Sequence, residues 1–181
     1  MKNPESVFEH ERRFFPDMRS LPFNFWEYPR VFIHQGYLSS PFKTRIRKEF
    51  DGEGFVYTKT TKIGKGVSRI ENEIEITERM FMDMWPGVEY CLKKDRYFIP
   101  WQESGQDFVI QLNIFHGALS GYVQVEIEFA TGKEALLFSP PTWLGEEVTL
   151  DKRHGNRSLA RHGAPSSASD EEAKSSEAIV L

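Results

Sequence analysis

A single cysteine, Cys91, stands among 181 residues. That excludes an intramolecular disulfide framework and a thiolate metal cluster. Long apolar runs are also missing: stretches such as "ALLF" fall far short of the roughly 20 residues a bilayer-spanning helix needs. There is no basic surplus either, with 23 Lys and Arg against 27 Asp and Glu. Nucleic-acid binders as a rule carry a net basic footprint, so nucleic acid and membrane are both set aside as partners. The opening "MKNPESVFEHERRFFP" has no apolar stretch of the secretory kind, and the expected compartment is the cytoplasm. What is present is enough for one soluble domain with a sizeable core: 39% hydrophobic and 28% charged residues.

Composition changes sharply near Gly163, where "GAPSSASDEEAKSSEAIVL" turns small, polar and acidic. Such a segment buries too little surface to offset its ordering entropy, so residues 163–181 are expected to be a disordered tail and residues 1–162 the domain. Within the domain the dominant signal has period two. It recurs in "VFEHERRFF", "RVFIHQGYL", "FKTRIRKEF", "GFVYTKTTK", "VSRIENEIEI", "CLKKDRYFI", "DFVIQLNIF" and "GYVQVEIEF", separated by Gly-, Ser- and Pro-rich punctuation. One helix is predicted after an N-cap at Thr77, ending before Pro86-Gly87, and others around "TGKEALLF" and "NRSLARH". Many antiparallel strands with few helices predict a mainly β, α+β domain in the form of a barrel or closed sheet.

The alternation carries charge. Same-face neighbours on a strand lie about 7 Å apart, and one face collects ions repeatedly: Glu9, Glu11 and Arg13; Arg45 and Arg47; Arg69, Glu71, Glu73 and Glu75; Lys94 and Arg96; Glu126 and Glu128. For one strand alone, such a face is a solvated face. Two features point further. Basic strands are distinct from carboxylate-bearing ones, and the carboxylates come as E-x-E pairs near both ends of the strand set. Two carboxylates from one strand suit a hard cation, Mg²⁺ or Mn²⁺. Basic strands closed around that cation would make a site for a small polyanion such as a chain of phosphates. His34, His116 and His162 show no zinc pattern.

The motif "FEHERRF" resembles the E-x-E-x-K signature of the CYTH superfamily, the triphosphate tunnel metalloenzymes, with Arg13 in the lysine place. "QGYL", "RIR", "TTK", "SRIENEIEI", "KDRY", "IFHGALSGYVQVEIE" and "WLGEEVTLDKRHGNRSLA" follow in the family's order. The resemblance implies a closed antiparallel β-barrel of about eight strands around a charged tunnel, with flanking helices and a C-terminal plinth helix. It implies that Glu9, Glu11, Glu126 and Glu128 hold Mg²⁺ or Mn²⁺. Arg13, Arg45, Arg47, Lys62, Arg69, Lys94, Arg96 and Arg153 would grip phosphates, with Lys59 a second candidate beside Lys62. Glu126, Glu128 or Glu73 would orient the attacking water. The chain departs from the family at Gln111 and Asn113, where carboxylates are common, and at His154, where tyrosine is usual.

The activity implied is metal-dependent hydrolysis of triphosphates, first of inorganic tripolyphosphate to pyrophosphate and phosphate. Nucleoside or thiamine triphosphatase and adenylate cyclase are alternatives within the superfamily. A binding tunnel that captures polyphosphate without turnover, through Gln111 and Asn113, is the alternative of another class. No oligomeric state is specified by the pattern.

Overall fold

The computed structural model describes residues 10–40, 43–65, 68–103 and 105–165, with only backbone pairing for residues 62–71. Glu9 and most of the expected tail, residues 166–181, lie outside the described residues. Among the described residues nine strands form one antiparallel sheet: β1 (His10–Phe15), β2 (Arg30–Leu38), β3 (Lys43–Phe50), β4 (Phe55–Lys65), β5 (Ser68–Glu75), β6 (Val88–Glu103), β7 (Gln106–His116), β8 (Val123–Phe129) and β9 (Glu146–Glu147). Their order across the sheet is β5-β4-β3-β2-β6-β7-β8-β1-β9. The α-helices of the described residues attend it: α1 (Glu78–Met84), α2 (Gly132–Leu137) and α3 (Asn156–His162).

The closed barrel expected from the pattern does not form. Among the described residues β5 pairs with β4 alone, and the far edge of the sheet is β9. The reason lies in β1, whose outer edge would have to receive β5. That edge is already taken: Phe14 and Phe15 pair with Glu147 and Glu146, the Arg13 carbonyl accepts from Val148 N–H at 2.8 Å, and Arg13 N–H donates to the Thr149 hydroxyl at 3.0 Å. The C-terminal segment thus occupies the outer edge of β1 from Arg13 to Phe15, where a closing strand would have to pair.

Gly145 makes that arrangement possible. Its φ of +68° lies in the glycine-favouring region, and a Cβ there would sit 2.0 Å from the Phe15 carbonyl oxygen. Only a residue without a side chain lets the backbone approach β1 so closely.

The sheet has an apolar and a polar face. On the apolar face Phe14, Ile99, Ile110, Leu112, Val125 and Ile127 are fully buried in one cluster. Phe138, just after α2, covers that cluster. A second cluster, Ile46, Tyr57 and Ile76, is covered by Phe81 of α1. Each such side chain contributes about 1.5–3 kcal/mol on leaving water. Both helices start where Thr side chains cap them: Thr77 accepts from Met80 N–H and Thr131 from Glu134 N–H, each at 3.2 Å. The third helix differs. Leu159 of α3 packs with Leu92, Phe115 and Tyr122, which the ladder places on the polar face. That face is therefore partly roofed at one end. No helix among the described residues is long and apolar enough to cross a membrane.

Candidate active site

Directly opposed residues of an antiparallel ladder share a face. The register therefore strings the predicted ions together. Arg13 opposes Glu126 and Glu11 opposes Glu128; Glu126 in turn opposes Gln111, and Asn113 opposes Arg96. Beyond β6 the same face continues through Gln35 opposite Arg47, then Arg45 opposite Thr60 and Thr60 opposite Glu73. Val125 and Ile127, on either side of Glu126 in β8, face the opposite way into the core.

The centre is Glu126, only 4% exposed. Its carboxylate accepts a close hydrogen bond from Arg96 Nη2 and another from Asn156 Nδ2 at 3.1 Å. Lys94, fully buried, places its ammonium 3.9 Å from the same carboxylate and donates to Asn156 Oδ1 at 3.1 Å. Burial pushes the Glu126 carboxyl up, but Lys94, Arg96 and Arg13 outweigh it and hold the group down to about 2. Burial pushes the Lys94 ammonium well below the usual lysine range, and Arg96 adds to that, against Glu126. One imbalance explains both directions. Several cations share one buried carboxylate, so the acid stays ionised while the ammonium is poorly compensated.

Toward β5 the pattern repeats with less burial. Arg45 Nη2 donates to Thr60 Oγ1 at 2.8 Å and to Glu73 Oε2 at 2.9 Å, and Thr60 donates to the same carboxylate oxygen at 2.5 Å. Burial raises the Glu73 carboxyl, but the Thr60 bond and the charges of Arg45 and Arg47 bring it below its ordinary value. Arg47 donates to Gln35 Oε1 at 3.2 Å and to Glu49 at 3.0 Å. Gln35 passes the chain on to the Tyr37 hydroxyl at 2.8 Å.

Toward β1 the two remaining carboxylates sit opposite each other. Glu11 accepts from Arg13 Nε at 2.5 Å; Glu128 accepts from Gln111 Nε2 at 3.1 Å. Asn113 accepts from Arg96 Nε at 2.8 Å. The two amides that replace carboxylates in the family pattern are thus hydrogen-bond partners to the ions around them. As donors for a divalent cation, Glu11, Glu126 and Glu128 offer the hard oxygens that Mg²⁺ and Mn²⁺ prefer. Among the described residues, however, no group of three or more His, Cys, Asp or Glu side chains comes together as a metal cluster. Glu9, the fourth expected ligand, lies outside the described residues.

Of the other expected residues, Lys62 pairs with Lys43 and Glu71 in the ladder and Arg69 pairs with Gly64. Arg153 lies in a short 3-10 turn, Lys152–His154, and forks onto Asp151 near the surface at 2.7 and 3.0 Å. Asn156 was not singled out from sequence, yet it bridges Glu126 and Lys94. The available signal was its place in "GNRSLA": polar residues opening a helix whose later turn buries Leu159. That turn is held in place by His154, whose ring nitrogen shares a 2.8 Å hydrogen bond with the Tyr122 hydroxyl, and by Gln124 Nε2 donating to the His154 carbonyl at 3.0 Å.

No family model matches the chain. It is 39% identical over 160 residues to an inorganic triphosphatase of Nitrosomonas europaea, covering 84% of this chain and 96% of that protein. It is 30% identical over 134 residues to an inorganic triphosphatase of Acetivibrio thermocellus, covering 73% of this chain and 81% of the relative. The crystal structure of an inorganic triphosphatase superposes with a TM-score of 0.61 at 35% identity, over 85% of this chain and 95% of the other.

Proposed function

The chain belongs to the CYTH superfamily of triphosphate tunnel metalloenzymes, and on that premise we propose that it hydrolyses inorganic tripolyphosphate to pyrophosphate and phosphate with a bound Mg²⁺ or Mn²⁺. One observation carries this reading: Arg13, Arg45, Arg47, Lys94 and Arg96 come from three different strands to one face, around the one carboxylate that is buried among the described residues, Glu126. A cationic excess taken out of water is unfavourable by itself and favourable around a polyanion.

In this reading those five residues, joined by Lys62, Arg69 and Arg153, bind phosphate oxygens and offset the charge that grows on the leaving pyrophosphate. Glu9, Glu11, Glu126 and Glu128 hold the cation, which when bound polarises a phosphoryl oxygen as a Lewis acid. Water attacks the terminal phosphorus, the bridging P–O bond breaks, and Glu126, Glu128 or Glu73 orients the water and takes up its proton. Asn156 keeps Glu126 aimed, and the Arg96–Asn113 bond fixes the guanidinium plane.

The test is phosphate release from tripolyphosphate, ATP and thiamine triphosphate with Mg²⁺ or Mn²⁺, beside a Glu9→Gln, Glu11→Gln variant. Cation-dependent release, fastest from tripolyphosphate and lost in the variant, is the expected result. A second reading, a polyphosphate-binding protein without turnover, is favoured by the neutral amides Gln111 and Asn113. It predicts that tripolyphosphate raises the melting temperature while no substrate releases phosphate, and that result would displace the hydrolase.

A further inference from the structure

Arg157 lies on α3, outside every strand that carries the cations above. Its guanidinium carbon sits 5.4 Å from the centroid of the Tyr37 ring. One of its nitrogens, Nη1, is shut off from solvent and has no hydrogen-bond partner among the described residues. A buried N–H left unmade costs about 1–3 kcal/mol, more when the group is charged. Such a donor persists where something else supplies the acceptor.

The surroundings say what that acceptor is. Tyr37 is buried and opposes Arg45 across the ladder; its hydroxyl accepts from Gln35, which also holds Arg47. Arg157 thus stands over the end of the polar face where two other guanidinium groups already lie. The Tyr37 hydroxyl feels the charges of all three, although burial dominates and pushes it up to about 12. The residue before it, Asn156, is anchored to both Lys94 and Glu126, so the side chain is delivered to this place by a fixed turn. Arg153, from the same segment, donates to Asp151 at 2.7 Å.

We propose that Arg157 is a substrate-binding residue, its buried Nη1 donating to a phosphate oxygen of the polyphosphate from the helix side while the strand-borne cations hold the chain from the sheet side. The inference rests on the proposed function and extends it. The ring of Tyr37 fixes the guanidinium by a cation–π contact, leaving its N–H groups to the ligand. A guanidinium held this way makes directed bonds that an ammonium of similar reach does not reproduce.

The experiment compares wild type, Arg157→Ala, Arg157→Lys and Arg161→Ala. Arg161 is a matched control: it sits on the same helix with its guanidinium 5.3 Å from the Tyr90 ring but is exposed. KM and kcat for tripolyphosphate are measured, and binding is measured independently by calorimetry with tripolyphosphate in the absence of divalent cation. Loss of one charge-assisted hydrogen bond should weaken binding roughly 10- to 100-fold in Arg157→Ala, with partial recovery in Arg157→Lys and no change in Arg161→Ala. A lowered melting temperature with unchanged KM and unchanged affinity would mean that Arg157 only packs against Tyr37, and would overturn the inference. So would equal effects at Arg157 and Arg161. Absence of turnover in wild type would count against the hydrolase alone, because the calorimetric comparison still decides Arg157.

Discussion

Glu126→Gln tests whether one buried carboxylate holds the polar face together. The substitution keeps size and can still accept from Asn156, but it leaves Arg96, Lys94 and Arg13 without their shared anion. The magnitude follows from proton linkage. The carboxyl is held from its ordinary 4.5 down to about 2 in the folded protein, and at 1.36 kcal/mol per tenfold in proton affinity the difference amounts to roughly 3 kcal/mol at pH 7. Because the folded value is the lower one, this stability is present above the unfolded carboxyl's range and is lost as pH falls through about 2. Roughly 3 kcal/mol is a ceiling, since Lys94, already pushed down by burial, can release its proton in the variant. Urea unfolding followed by tryptophan fluorescence, in chelator-containing buffer at pH 7, 5 and 3, reads the gap directly. Wild type should exceed Glu126→Gln most at pH 7 and 5, and by less than half as much at pH 3. A gap that does not depend on pH, or a variant more stable at pH 7, would refute the argument that the carboxylate is held ionised by the surrounding cations.

Two further predictions concern the frame. Gly145→Ala meets the Phe15 carbonyl and should destabilise by at least about 2 kcal/mol, measured by thermal unfolding; a neutral effect would mean that β9 does not need that close approach. Ile127→Ala empties a fully buried position and should cost about 2–5 kcal/mol in urea unfolding, while leaving KM for tripolyphosphate within a factor of about 2, because the side chain faces away from Glu126 and Glu128. A rise in KM beyond that range would indicate that the two faces are coupled.

The alternation in "VQVEIEF" was legible because it is local. Period two alone assigns Val125 and Ile127 to the core and Glu126 to the other face, and the ladder agrees. The Thr77 cap and the helix over "NRSLARH" were legible for the same reason. Closure was not. Whether β5 meets β1 depends on what occupies the outer edge of β1, and the occupant is a two-residue strand, Glu146–Glu147, too short to show any period. Asn156 and Arg157 escaped notice because their roles come from where α3 is docked. That docking is set by Leu159, Tyr122 and His154, residues far apart in sequence whose joint contact no spacing rule reveals. Arg153 carries the same charge type a few positions earlier, and the resemblance drew attention to it first.

The pairing of β1 with β8 and β9 has a consequence for how the chain comes into being. His10 finds its partner at Phe129, and at ribosomal speeds of about 5–20 residues per second the partner emerges on the order of 10 s later. Through that interval β1 is an orphan strand beside a growing polypeptide. Its "HERR" stretch discourages the premature edge-to-edge association that an apolar strand would invite. Glu11 and Glu128 can be neighbours only once translation has carried the chain past both, so the carboxylate end of the polar face is among the last parts of the molecule to exist.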